Sequence, residues 1–357
     1  MILVLFLAAI LWGIGALVGA PNRSRMAMVA VLFFGVLALQ IILPAGHPLR
    51  EATGGSPALW LLIAGFVAVA LVYRRGLQAL RRRADVRQPQ AVQAEPVQNA
   101  QFSETELNRY ARHIVLHELG GPGQKRLKGA RVLVIGAGGL GAPALQYLAA
   151  AGIGSIGIID NDVVENANLQ RQVIHRDADI GMPKVFSAQA AMLAQNPFVV
   201  VRPYHRRLTD EIAAELFADY DLILDGTDNF TTRYLSNRVA VEQGKPLISG
   251  ALSQWEGQMS VFDPAHSGPC YQCVFPEAPS AGLAPSCAEA GVVGPLPGVI
   301  GSMMAVEAIK VVADAGTPMR GQMLIYDALY GETRTITLKR RSDCPICGNG
   351  HANAHGG

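Results

Sequence analysis

Residues Ala130–Ile135 (ARVLVI) are a short run of β-formers that ends in Gly136-Ala137-Gly138-Gly139-Leu140-Gly141. An apolar stretch with helical character follows, 142–151, and then a second β-rich run, Ser155–Ile159, closed by Asp160. Strand, glycine turn, helix and strand in that order predict a βαβ unit, and so an α/β chain built on a Rossmann-like sheet. Glycines at these positions let the backbone approach phosphate groups, and the helix that starts behind them turns its N–H groups and positive dipole end toward the same charge. The acid at the end of the second strand is placed to hydrogen-bond ribose hydroxyls. Gly136, Gly138, Gly139, Gly141 and Asp160 are therefore candidate nucleotide-binding residues. The motif leaves the nucleotide open, and taken alone it favours a dinucleotide oxidoreductase.

The residues that follow point elsewhere. Asn168-Leu169-Gln170-Arg171-Gln172 leads to Arg176 and Lys184, and further on Leu222-Ile223-Leu224 runs into Asp225-Gly226-Thr227-Asp228-Asn229. A triphosphate with its metal needs fixed cations and a carboxylate that can hold Mg²⁺, which proteins bind through one or two carboxylates plus the phosphates. Asp228 follows a predicted strand, the place where doubly wound sheets bind ligands. A dinucleotide needs no such acid. Two members have plainer readings: Arg176 as a solvated surface residue, and Asp225 as a residue that shapes the turn.

Four of the five cysteines form two pairs, Cys270-x-x-Cys273 and Cys344-x-x-Cys347. The spacing is that of two halves of a tetrathiolate site, so structural Zn²⁺ is expected, with four sulfurs and no open position. Chance pairing and redox pairs are the alternatives. The fifth, Cys287, stands beside a segment rich in Pro, Ala, Gly and Ser, 276–286, which reads as a loop. Ser103 and Glu106 fit a capping box, with Leu107, Tyr110, Ala111, Ile114 and Val115 at helical spacing behind it. The run 299–313 reads as a closely packed apolar helix, and 323–327 with 333–338 as a hairpin.

The first hundred residues are of another kind. Only 16% of the chain is charged, against about 25% in soluble proteins. Met1–Ala20 carries no charge, Met26–Leu43 has Gln40 as its one strongly polar member, and Ala58–Tyr73 has none. About 20 apolar residues cross the ~30 Å hydrocarbon core of a bilayer, so three transmembrane helices are expected, with Trp60 and Tyr73 in the aromatic belts. A signal peptide for the first run and buried core helices for the others are the alternatives. Residues 1–100 hold nine Arg, no Lys and three acids, a net of +6, whereas the remainder nets −4. The even overall balance gives no reason to expect nucleic-acid binding. Arginine clusters at 23–25 and 74–87 put those segments on the cytoplasmic side, and hence the rest of the chain in the cytoplasm beneath an inner or plasma membrane. The expected organisation is an anchor at 1–75, a basic and then flexible linker at 76–102, an enzymatic domain at 103–347 and an unstructured tail at 348–357.

From about Arg109 to Cys347 the chain resembles the enzymes that adenylate ubiquitin-like sulfur carriers, most of all the molybdopterin-synthase adenylyltransferases and, close behind, those of thiamine biosynthesis. The resemblance is carried by Arg109-Tyr-Ala-Arg112-His, Gly136-Ala-Gly-Gly-Leu-Gly141, Asp160-Asn-Asp162, Asn168-Leu-Gln-Arg-Gln172, Pro183-Lys184, Asp225-Gly-Thr-Asp228-Asn229 and the two cysteine pairs. It implies ATP-dependent adenylation of the C-terminal glycine carboxylate of a small carrier ending in Gly-Gly, with release of pyrophosphate. It further implies that Gly139 lies against the nucleotide and Asp160 on ribose. Asn168, Arg171 and Lys184 would contact phosphates. Asp228 would hold Mg²⁺, with Asn229 beside it in the nucleotide site. Arg112 would reach into the partner's site across a homodimer interface. Cys287 stands where some relatives form a covalent link to the carrier; a non-catalytic thiol is the alternative. Two features depart from the pattern: the anchor, and the lack of a sulfurtransferase domain after Cys347, so that sulfur is expected from elsewhere. The final Gly356-Gly357 is expected to be an ordinary tail.

Overall fold

The computed structural model describes residues 2–17, 22–44, 46–58, scattered positions between 60 and 75, 101–278 and 290–348. Its contacts divide the chain into two compact units, 1–92 and 93–357.

The first unit holds α1 (Ile2–Leu17), α2 (Asn22–Ile42) and the short α3 (Pro48–Ala52). Val4, Val36 and Trp60 are buried together, and the Trp60 ring meets Phe33 edge-on at 5.5 Å. The two polar residues of interest turn inward. Gln40 donates to Arg50 O at 2.8 Å and to Thr53 Oγ1 at 2.7 Å, and Trp60 Nε1 donates to Thr53 O at 3.1 Å. Trp60, expected in an interfacial belt, is packed inside the unit and closes a buried polar knot through its indole N–H. Elsewhere the unit shows its apolar side chains outward: Phe6, Ile14, Val31, Phe34, Ile41 and Phe66 are all exposed.

The described residues bear unevenly on the three expected spans. Among the described residues only 24–42 in this unit is helical, long and apolar enough to cross a bilayer. The 16 described residues of α1 cover about 24 Å at about 1.5 Å per residue, and the end of that run, 18–20, lies outside the described residues. The third run, 58–73, is described only at scattered positions. A second helix that passes the same test, Pro295–Ala313, is half buried in the other unit.

That second unit is an eight-stranded sheet, β1 (Arg131–Ile135), β2 (Ser155–Ile159), β3 (Val200–Tyr204), β4 (Leu222–Asp225), β5 (Leu247–Leu252), β6 (Glu256–Phe262), β7 (Gln322–Asp327) and β8 (Glu332–Thr337), in the order β3-β2-β1-β4-β5-β6-β7-β8. β3 through β5 run parallel, and β6 to β8 join antiparallel. The central strands β1, β2 and β4 are almost wholly buried apolar runs because helices cover both faces, whereas the edge strand β3 carries Arg202 and Pro203 and is mostly half-buried. On one face lie α6 (Gly120–Gly129), α7 (Gly141–Ala151), α8 (Lys184–Gln195) and α12 (Pro295–Ala313); the other carries α9 (Asp210–Ala218), α10 (Phe230–Glu242) and the one-turn α11 (Tyr271–Val274). α12 owes its apolarity to this packing: a Cβ on Gly301 would lie 2.3 Å from Leu140 O and 2.5 Å from Pro143 Cγ. It is a core helix, as its small residues predict.

Ahead of the sheet stand α4 (Glu104–Arg109) and α5 (Ala111–Ile114). The Ser103–Glu106 capping box is present, and Lys128 Nζ pairs with Glu106 Oε1 at 2.7 Å. The predicted single helix breaks at Tyr110, which is buried and takes a hydrogen bond from Asn196 Nδ2 at 2.8 Å. Leu107 and Val115 are exposed. The hairpin appears as β7 and β8, one residue earlier at each start than the sequence suggests.

Candidate functional site

Strand order reverses its winding between β1 and β4, and at such a switch point the carboxyl ends of the strands leave a crevice. A cavity of about 670 Å³ lies there, lined by Gly136, Gly138, Gly139, Asp160, Asp162, Arg171, Lys184, Arg206, Arg207, Asp228, Asn229 and Arg233 among others. Residues far apart in sequence thus meet because four parallel strands end side by side.

The glycine turn is locked from several directions. Gly136 sits at φ +91° and donates its N–H to Ile159 O at 2.9 Å. A Cβ on Gly141 would lie 1.9 Å from Gly136 O, so only glycine lets α7 start so close to β1. The Asp160 carboxylate accepts Ala137 N–H at Oδ2 and Asp162 N–H at Oδ1, both at 2.8 Å. Each oxygen keeps a lone pair that a ribose hydroxyl can use.

Cations reach the cavity from four segments of the chain. Arg171 is steered by Asn168, whose Oδ1 accepts Nη2 at 3.1 Å; Asn168 does not itself line the cavity. Lys184 opens α8 and is almost fully buried, with Nζ 2.8 Å from Asp162 Oδ2. Asp228, exposed in the turn after β4, lines the same cavity. That turn is set by Asp225, buried, whose Oδ1 accepts Thr227 N–H at 3.0 Å and Thr227 Oγ1 at 2.7 Å. Asn229 lines the cavity and also caps α10, accepting Thr232 N–H at 2.9 Å. Arg176 and Arg112 are exposed and lie outside the cavity lining. Cys287 is outside the described residues.

Sequence reasoning missed Arg233. Its buried guanidinium donates to Gly250 O at 2.7 Å, to Ser249 Oγ at 3.1 Å and to Thr227 O, tying the Asp228 turn to β5. The available signal was its place one helical turn after the Asn229 cap. Arg206 and Arg207, exposed after β3, were missed as well; a basic pair at a strand's carboxyl end was their mark.

The four paired cysteines form a separate buried cluster with all sulfurs within 4.8 Å of one another. Sγ–Sγ separations are 3.9 Å for Cys270–Cys273, 3.6 Å for Cys270–Cys344 and 3.3 Å for Cys273–Cys347. A tetrahedral ion with Zn–S bonds of about 2.3 Å sets sulfurs roughly 3.8 Å apart, so the set fits, whereas a disulfide needs about 2.05 Å. Burial, and then the neighbouring sulfurs, push the Cys270 thiol well above its ordinary pKa. A divalent cation is what would relieve that.

Residues 110–346 match the ThiF family. The chain is 50% identical over 252 residues, 70% of its length and 93% of the relative's, to a "Sulfur carrier protein adenylyltransferase" of Thermus thermophilus. It is 48% identical over 246 residues, 69% of its length and 90% of the relative's, to a "SAMP-activating enzyme E1" of Haloferax volcanii. Among solved structures it resembles E. coli MccB, with a TM-score of 0.61 and 25% identity over 70% of this chain and 74% of that one.

Proposed function

The chain belongs to the ThiF family, and on that premise we propose that its sheet unit joins AMP to the C-terminal glycine carboxylate of a ubiquitin-like sulfur-carrier protein. The observation that carries this reading is the meeting of Arg171, Lys184 and Asp228 with the glycine turn in one crevice. The extent of identity to a sulfur carrier protein adenylyltransferase supports it. A carboxylate oxygen of the carrier attacks the α-phosphorus of ATP, the bond to the bridging oxygen breaks, and pyrophosphate leaves. Negative groups converge in that step. Fixed cations that need no reorganisation are the main means of lowering such a barrier. The turn after β1 takes the phosphates, Asp160 the ribose, and Arg171 and Lys184 offset the charge. Asp228 would hold Mg²⁺, which supplies further neutralisation of the phosphate oxygens. The cysteine cluster would hold a structural Zn²⁺, and Arg112 would complete the site from a second copy in a homodimer.

Carrier-dependent ATP–pyrophosphate exchange tests this reading. Asp228→Ala and Arg171→Ala should each lower the exchange rate by about 10²–10³-fold, the usual cost of one preorganised charge-stabilising group. Near-normal exchange in either variant overturns the assignment.

We propose in addition that the first unit associates with a membrane through α2, supported by the apolar surface it presents. Recovery of the protein in the soluble fraction after lysis would refute this.

A further inference from the structure

His175 is a buried imidazole for which the adenylation chemistry has no role. Its Nε2 lies 2.9 Å from Ala137 O, in the middle of the glycine turn. A carbonyl only accepts, so Nε2 carries a proton in both the neutral and the charged ring. Nδ1 lies 2.9 Å from Ser187 Oγ, which also donates to Asp179 Oδ2 at 2.7 Å. The hydroxyl's single proton thus has two acceptors, and the bond to Ala137 is the unambiguous one. Burial pushes the His175 pKa below its ordinary value against the pull of the Ala137 carbonyl; Lys184 also lowers it, while Asp160 and Asp179 raise it. Near neutral pH the ring is therefore uncharged, with its proton on Nε2.

The Ala137 residue is gripped at both ends, its N–H by Asp160 and its C=O by His175. In a trans peptide the C=O of one residue and the N–H of the next share a plane and point in opposite directions. Drawing Ala137 O inward to His175 therefore turns the Gly138 N–H outward, and Gly138 lines the cavity. We infer that His175 is a positioning residue that aims the Gly138 N–H at a phosphate of the nucleotide. This rests on the adenylation reading above. It adds to that reading a residue that touches no substrate, reaching the site through one peptide plane.

The test compares His175→Leu, His175→Gln and His175→Asn in carrier-dependent ATP–pyrophosphate exchange, with melting temperature and metal content measured alongside. Gln extends an amide N–H to the distance of Nε2; Asn is polar but one methylene too short. Leu and Asn should raise the KM for ATP about tenfold, near 1.4 kcal/mol and the scale of one hydrogen bond, with kcat changed less than about threefold. Gln should stay within about threefold of wild type in both. If Leu fails to fold, the contrast between Asn and Gln still decides. An unchanged KM in Leu or Asn, or Gln as impaired as Asn, overturns the inference while wild-type exchange leaves the adenylation reading standing. Absence of exchange in the wild type defeats that reading and this one with it.

Discussion

The crevice at the β1–β4 switch and the cysteine cluster behind α10 are held in shape by opposite means. In the crevice nearly every group already has a protein partner: Lys184 has Asp162, Arg171 has Asn168, Arg233 has two carbonyls and a hydroxyl, and the glycine turn has Asp160 and His175. Its geometry is set before any ligand arrives, as catalysis by preorganised charge demands. The cluster is the reverse. Four buried sulfurs stand close together, and burial and the neighbouring sulfurs push the Cys270 thiol up. One region would lend its order to a substrate; the other, on the proposed reading, would take its order from an ion. Their responses to perturbation should differ accordingly.

The largest effect should come from the cluster. Structural zinc contributes roughly 10–16 kcal/mol of apparent binding energy in small domains, comparable to the whole stability of an ordinary domain, about 5–15 kcal/mol. Cys344→Ser, or extraction with a strong chelator, should therefore unfold the region joining Cys270 to Cys347. The loss should be visible as a drop in melting temperature, and metal analysis of the intact protein should find one zinc per chain. No zinc, or a variant that melts like wild type, would make the two regions alike. Next comes Gly141→Ala, which strikes the crevice alone. The added Cβ would sit 1.9 Å from Gly136 O, and that carbonyl cannot retreat easily while Gly136 N–H is bonded to Ile159. Overpacking of this kind costs about 1–3 kcal/mol. Exchange activity should be lost, with zinc content unchanged. Normal ATP binding in this variant would show that the turn is softer than its bonding suggests.

Regions with strict local chemistry were legible in the sequence. The glycine turn, the two strands beside it, the cysteine pairs and the hairpin all rest on short spacings that few alternatives satisfy, and each is found where the residues point. Asn168 and Asn229 were legible as members of the site but not in detail. Asn168 stands behind Arg171, and Asn229 spends its side-chain oxygen on the α10 cap. His175 was illegible because its importance comes from what it touches, Ala137 O in the glycine turn, and no local pattern announces a contact of that range; Arg233 had only the weak local mark of its place after the Asn229 cap, while its contact with Gly250 was equally hidden. The apolar amino-terminal runs show a different limit. Hydropathy and arginine placement together suggested three spans, but hydropathy by itself does not separate a span from a core helix: α12 passes the same length and hydropathy test as residues 24–42 and is half buried in the sheet unit. Composition sets what must be hidden from water and leaves open whether lipid or protein hides it.

The smallest expected effect lies in how acid acts on the crevice. The folded-state pKa of His175 lies below the ordinary value of about 6.5, because burial disfavours its charged form. Between those two values the unfolded chain binds more protons than the folded one, so stability rises with pH. The contribution is complete above pH ~6.5 and is lost as pH falls toward the folded-state value, with a slope of at most about 1.4 kcal/mol per pH unit for one proton. His175→Gln cannot titrate. Urea unfolding of both proteins at a series of pH values below 6.5 should therefore show wild type losing stability relative to the variant as the solution is acidified, while the two run parallel above neutrality. Parallel curves throughout would mean that Asp160 and Asp179 offset burial, so that the proton under the glycine turn is held as readily as in water.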